Sequence, residues 1–191
     1  VAVSAICTVT ACVIFFLLWF MVDRSIKKGH TTLRVHAMTT SDLVRELPKE
    51  MEVLLWSQQL QRVEFEEYAA LRLLSDAACC MRRARNPELS LLARFFITNE
   101  GIHALSLGVL YLHGVVPTGW VGHRAMAMQL ACEQLQVPAR LIHQILYANT
   151  HRELIVYGST EPVELSELAE LTTMAQMLME QVHYEYPEWA S

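Results

Sequence analysis

An all-α bundle of five or six helices is the fold class this sequence predicts, and three observations predict it. Beyond residue 38 no run alternates apolar and polar residues between turn signals, as a half-buried strand would. Apolar residues recur instead at offsets of three and four over long stretches, the spacing that lines one face of a helix. Glycines and prolines are few, seven and six in 191 residues, and they cluster at junctions. With 53% of its residues hydrophobic the chain has ample material for one core, and neither a repeat nor a composition break marks a second domain.

Residues 1–22 stand apart. They carry no charged side chain and include Val13-Ile14-Phe15-Phe16-Leu17-Leu18-Trp19-Phe20, so as a helix they are long enough to cross the hydrocarbon layer. Asp23-Arg24-Ser25-Ile26-Lys27-Lys28 ends the run, and basic residues on that side favour a cytoplasmic location for the remainder of the chain. The expected organisation is a transmembrane segment at 1–22, a juxtamembrane linker at 23–40 and a helical domain at 41–191. A second reading treats residues 1–37 as an extension foreign to the natural protein, because Met38-Thr39-Thr40-Ser41-Asp42 reads as a start leading into a helix cap. The domain is cytoplasmic on that reading. On the first it lies at the cytoplasmic face of the inner membrane, with the N-terminus outside.

The domain's helices come in order. The first stretch starts after Ser41-Asp42 and is interrupted at Pro48, and from about Met51 to Arg85 the pattern is helical. Asn86-Pro87-Glu88 supplies a cap, a first-turn proline and an early acid for a helix reaching His113, with Gly114 as its left-handed terminator. That helix is apolar nearly all round, which makes it the central, buried element. After a Pro117-Thr118-Gly119 turn come helices at about 121–135 and 138–157, then a loop at 158–162. The last helix, about 163–184, has a packing seam at Leu165, Leu168, Thr172, Ala175, Met179 and Val182.

Charge excludes some functions. Residues 1–37 hold four Lys/Arg and one Asp, which leaves 11 basic and 19 acidic side chains, a net of −8, on residues 38–191. Such a domain repels phosphate backbones, so nonspecific nucleic-acid binding is not expected. The one basic cluster, Arg82-Arg83-Ala84-Arg85, reads as a solvated helix end whose cations complement the dipole. Five cysteines show neither CxxC nor Cys/His metal spacing, which fits a reduced compartment.

Residues 91–158 carry an ordering of short motifs. Leu91-Leu92-Ala93-Arg94-Phe95-Phe96 precedes Ala104-Leu105-Ser106-Leu107-Gly108-Val109-Leu110-Tyr111-Leu112-His113-Gly114, then come Gly122-His123-Arg124 and His151-Arg152-Glu153-Leu154-Ile155-Val156-Tyr157-Gly158. This order resembles the HEPN family, small helical bundles of toxin–antitoxin and phage-defence loci, over about residues 64–186. The family's ribonucleases use an Arg, a polar residue, three spacers and a His, paired across a dimer groove. Here Arg152 and Glu153 match and Tyr157 stands in the His position. A phenol with an ordinary pKa of about 10 is a poor base beside an imidazole at about 6.5. His151 points about 100° away around the helix and does not replace it. The resemblance therefore implies a HEPN-like bundle without catalytic residues or cofactor. It would be a homodimer and the partner-binding or antitoxin-like member of a bacterial two-component locus, with a cognate toxin or nucleotidyltransferase as partner. His123, Arg124 and His151 would contribute groove or partner contacts, although for His123 a simple hydrogen bond to the preceding loop is the plainer role. Arg152 ends an apolar stripe of Leu141, Ile145 and Ala148, where its guanidinium needs an anionic or carbonyl partner.

Two enzymatic alternatives remain, a HEPN ribonuclease with a rearranged site and a ferritin-like di-iron protein. The second draws on two Glu-x-x-His motifs, Glu100/His103 and Glu180/His183, which such bundles use as metal ligands. It also needs carboxylates from two further helices at the same height. Glu180 falls opposite about Arg140 and on the water-facing side of its helix, so the ligand set is incomplete.

Overall fold

The computed structural model describes residues 47–119 and 121–187. The apolar run at 1–22, the linker at 23–40 and the helix start at Ser41-Asp42 lie outside the described residues. Six helices and one short two-stranded ribbon make up the rest, an all-α bundle: α1 (Lys49–Trp56), β1 (Leu60–Arg62), α2 (Glu67–Ala84), α3 (Leu91–Leu112), β2 (Val115–Pro117), α4 (His123–Gln134), α5 (Ala139–Val156) and α6 (Leu165–Glu185).

The central helix is α3, as its all-round apolar sequence requires. It packs on α2, α4, α5, α6 and β2. Phe95, Ile102, Leu105 and Val109 sink into the main core with Leu74 of α2, Met128 of α4, Ile145 of α5 and Leu171 of α6. Two glycines let α2 come close: a Cβ on Gly101 would lie 3.1 Å from the Cys80 Cβ, and one on Gly108 would lie 2.8 Å from a Leu74 methyl. Although α3 is long and apolar enough to cross a membrane, 67% of its most apolar window is buried inside the described fold. A second cluster gathers Met51, Leu60, Leu110, Val115 and Leu130.

The predicted helix over residues 51–85 is in fact two helices and a strand. Backbone closure ends α1 early: the Gln59 N–H donates to the Leu54 carbonyl at 2.9 Å, and Gln58 turns left-handed at φ 58°. The chain then runs extended through β1, which pairs antiparallel with β2, Gln61 opposite Val116. Three residues are too few for alternation to register, which is why the sequence shows no strand there. A second correction concerns the start of α3. Asn86 caps only a turn, its Oδ1 accepting from the Glu88 N–H at 3.0 Å, while Ser90 is the true N-cap, accepting from the Ala93 N–H at 3.2 Å. The terminator at Gly114 is as expected, with φ 69°. On α6 the seam holds at Leu168, Ala175 and Val182, but Leu165 in the first turn is 66% exposed.

Candidate binding site: an arginine pair bridged by Glu100

Where α3, α4 and α5 meet, a polar cluster interrupts the apolar packing. Leu92, Phe96, Glu100 and His103 follow offsets of four, four and three along α3 and so share a face. Asn149, Arg152 and Val156 make a matching line on α5. From α4 comes Arg124, brought in at the second helical position because Gly122 adopts φ 90°, a conformation that only glycine takes at little cost.

Arg124 is the hub. Its Nε donates to Asn149 Oδ1 at 2.9 Å, and one terminal nitrogen donates to Glu100 Oε2 at 3.1 Å and to His103 Nδ1 at 3.0 Å. The other terminal nitrogen donates to the Asn99 carbonyl at 3.0 Å. Asn149 passes the network on to Glu153, its Nδ2 donating to Oε1 at 3.1 Å. On the far side of Glu100, Arg152 donates to Oε1 at 2.8 Å and lies over the Phe96 ring, 5.5 Å from its centroid. One carboxylate thus holds two guanidiniums from two helices.

Electrostatics follow from this geometry. A guanidinium has no lone pair to offer, so His103 Nδ1 must be the acceptor and the ring's single proton sits on Nε2. Burial and the neighbouring Arg124, His123 and Arg152 push the His103 pKa down from 6.5 to about 3. The ring is therefore neutral near pH 7 and cannot serve there as a proton reservoir. Burial also lowers the Arg124 pKa, with Glu100 opposing. Three buried atoms of the cluster, Asn99 Oδ1, His103 Nε2 and Arg152 Nε, have no hydrogen-bond partner. The outer part is open: Glu100 is 34% and Arg152 21% exposed, and Leu92 and Val156 beside them are exposed apolar side chains.

The sequence-predicted residues separate into two groups. Arg152, Glu153 and Arg124 come together here, and His123 stands beside them with its ring 6.5 Å from that of His103. Tyr157 does not join them, being the C-cap of α5 and 88% exposed. His151 faces α6 instead, its Nδ1 donating to Glu167 Oε1 at 2.8 Å. The two Glu-x-x-His motifs also part company. Glu100 and His103 are engaged by arginine, whereas Glu180 and His183 are exposed and Glu180 accepts from Gln176 at 3.0 Å. Among the described residues no three His, Cys, Asp or Glu side chains are arranged to hold a metal ion.

Asn149 and Phe96 are site residues that sequence reasoning missed, and so is the bridging role of Glu100. A usable signal existed for Glu100, because a lone carboxylate in a helix apolar on every side has to find cationic partners. Compared with protein-family models, curated proteins and solved structures, the chain finds no match.

Proposed function

We propose that this chain is a non-catalytic, HEPN-like binding domain, the partner-binding or antitoxin-like member of a two-gene locus, docking through the face around Glu100. The engagement of Arg152 by Glu100 carries this reading. A guanidinium held at 2.8 Å by an internal carboxylate is neutralised where a ribonuclease would offer it to phosphate. The imidazole within the cluster, His103, is neutral and already accepts from Arg124. With Tyr157 turned to solvent, the motif has a structural donor and lacks a proton carrier. What the face offers instead is a half-exposed polar cluster flanked by Leu92 and Val156, the mixture that protein interfaces favour. The first partner of this face is a second copy of the chain; the toxin or nucleotidyltransferase rests on family analogy.

The test is an RNA incubation paired with thermal melts. Wild-type protein should leave structured and single-stranded RNA intact, and Arg152→Ala and Glu100→Ala should lower the melting temperature, the latter more. Cleavage by wild type that Arg152→Ala abolishes, with the fold unchanged, would overturn the reading in favour of a ribonuclease.

A further inference from the structure

The side of α5 turned away from the arginine pair is left to solvent. His143, Tyr147, Thr150, Leu154 and Tyr157 are all exposed there, Tyr147 by 63%, Leu154 by 50% and Tyr157 by 88%. They follow offsets of four, three, four and three, so at about 100° per residue they hold an arc of about 80° centred opposite Arg152. That spacing is the seam along which one helix packs on another at a shallow crossing angle. None of the five is Asp, Glu, Lys or Arg, although residues 38–191 carry a net of −8. A solvent-facing stripe without charge and rich in aromatic area is what the core of an interface uses.

Two further observations say what packs there. The stripe is symmetric about its middle: Thr150 and Leu154 flank position 152 at equal distances, and so do Tyr147 and Tyr157. A second α5 laid antiparallel sets Tyr147 against Tyr157 of the second copy and Thr150 against its Leu154. That is the self-complementarity a two-fold interface requires. The charges of α5 also run against its dipole. Arg140 lies in the first turn, at the positive end, whereas Glu153 lies in the last turn and Glu161 just beyond, at the negative end. Arg140 is exposed and makes no ion pair among the described residues. Each placement is unfavourable in a lone helix. Antiparallel packing corrects both, because it brings Arg140 to the acidic end of the other α5 and opposes the two dipoles.

We propose that this stripe joins two copies of the chain, α5 packing antiparallel on α5 with Arg140 of each copy at Glu161 of the other. It shares no residue with the face around Glu100, so it is a second contact and stands or falls apart from that one. The tyrosines supply large, stiff contact area at little loss of rotamer freedom. One stripe from each copy makes a small interface, in the weak class below about 1,200 Å² in total. It therefore forms at submillimolar concentration, above the range in which the Glu100 face pairs copies. A chain carrying both faces links such pairs into larger assemblies as concentration rises.

Sedimentation equilibrium of the full chain from about 10 μM to about 1 mM tests the proposal. The Leu92→Glu/Val156→Glu background takes the Glu100 face out of play, so the outcome does not depend on that reading. The expected result is a reversible monomer–dimer equilibrium with a Kd of about 0.1–1 mM. Leu154→Glu, an exposed position, should weaken it by about tenfold or more with the melting temperature unchanged. Arg140→Glu should weaken it about fivefold, and Glu161→Arg added to it should restore the wild-type value, because the pair is then reversed on both copies at once. A monomer throughout the range would overturn the proposal, as would a dimer indifferent to Leu154→Glu. Failure of the reversed pair to recover would overturn it too, and would leave the stripe to a helix of another protein.

Discussion

Glu100 settles two charges with one carboxylate, and that asymmetry governs what substitution there does. Removing Arg152 leaves Glu100 still paired with Arg124, whereas removing Glu100 leaves two guanidiniums together, one of them only 12% exposed. Between the small value of exposed pairs and the larger cost of breaking buried ones, Glu100→Ala should cost on the order of 2 kcal/mol. His103 adds a pH signature. Its folded pKa of about 3 lies below the ordinary 6.5, so the folded state binds its proton less readily than the unfolded chain. Its contribution to stability is complete above pH 6.5 and declines as pH falls toward 3. His103→Gln keeps an acceptor for Arg124 and removes the titration, so denaturant midpoints of that variant should fall less between those two pH values. An equally steep acid limb would show that His103 is not its source. Some of this was legible beforehand. The apolar stripe of Leu141, Ile145 and Ala148 already required a partner for Arg152, but no local pattern could name a carboxylate 52 residues away.

At the level of elements, the long helices were readable because their apolar periodicity and terminators agree, as in α3 with Gly114 and α5 with Gly158. Where the sequence misled, local backbone geometry had decided the outcome. Gln58 and Gln136 adopt left-handed φ of 58° and 54°, closing α1 and α4 without the glycine that normally advertises such an end. After α4 the Val137 N–H donates to the Cys132 carbonyl at 2.9 Å, so the closure is complete although its residue is ill suited. A side chain in this region costs about 1–2 kcal/mol, part of which glycine returns as extra freedom in the unfolded chain. Gln136→Gly should therefore raise stability by about 0.5–1 kcal/mol in urea denaturation. A loss would mean that the Gln136 side chain contributes more than its backbone strain costs.

For the whole molecule, the bundle leaves apolar surface where the proposed partner face lies. Leu92 is 46% and Val156 55% exposed, on α3 and α5 respectively, beyond the same end of the Arg152–Glu100 pair. If two copies meet there, light scattering at micromolar concentration should read twice the monomer mass for wild type and the monomer mass for Leu92→Glu/Val156→Glu. A wild-type monomer would contradict self-association, and a dimer indifferent to the pair of substitutions would move the interface elsewhere. The 53% hydrophobic content is ample for a core, but which helix faces stay uncovered depends on long-range packing that periodicity does not encode.

The small ribbon has a kinetic consequence. The helices on either side assemble from neighbours in sequence, α2 against α3 and α5 against α6, whereas β1 and β2 must close a loop from Gln61 to Val116 around the whole α2–α3 unit. Closure of that loop loses chain entropy before its few hydrogen bonds form, so the ribbon should zip after the helices have docked. Val115→Ala, at a fully buried ribbon position, should then speed unfolding and leave the refolding rate nearly unchanged in stopped-flow experiments. The amides of Val63 and Thr118, which donate to Gly114 and Gln59 across the ribbon, should exchange with solvent before those of α3. The last part of the fold to form would thus be the first to open, and α1, joined to the bundle next to it, would open with it.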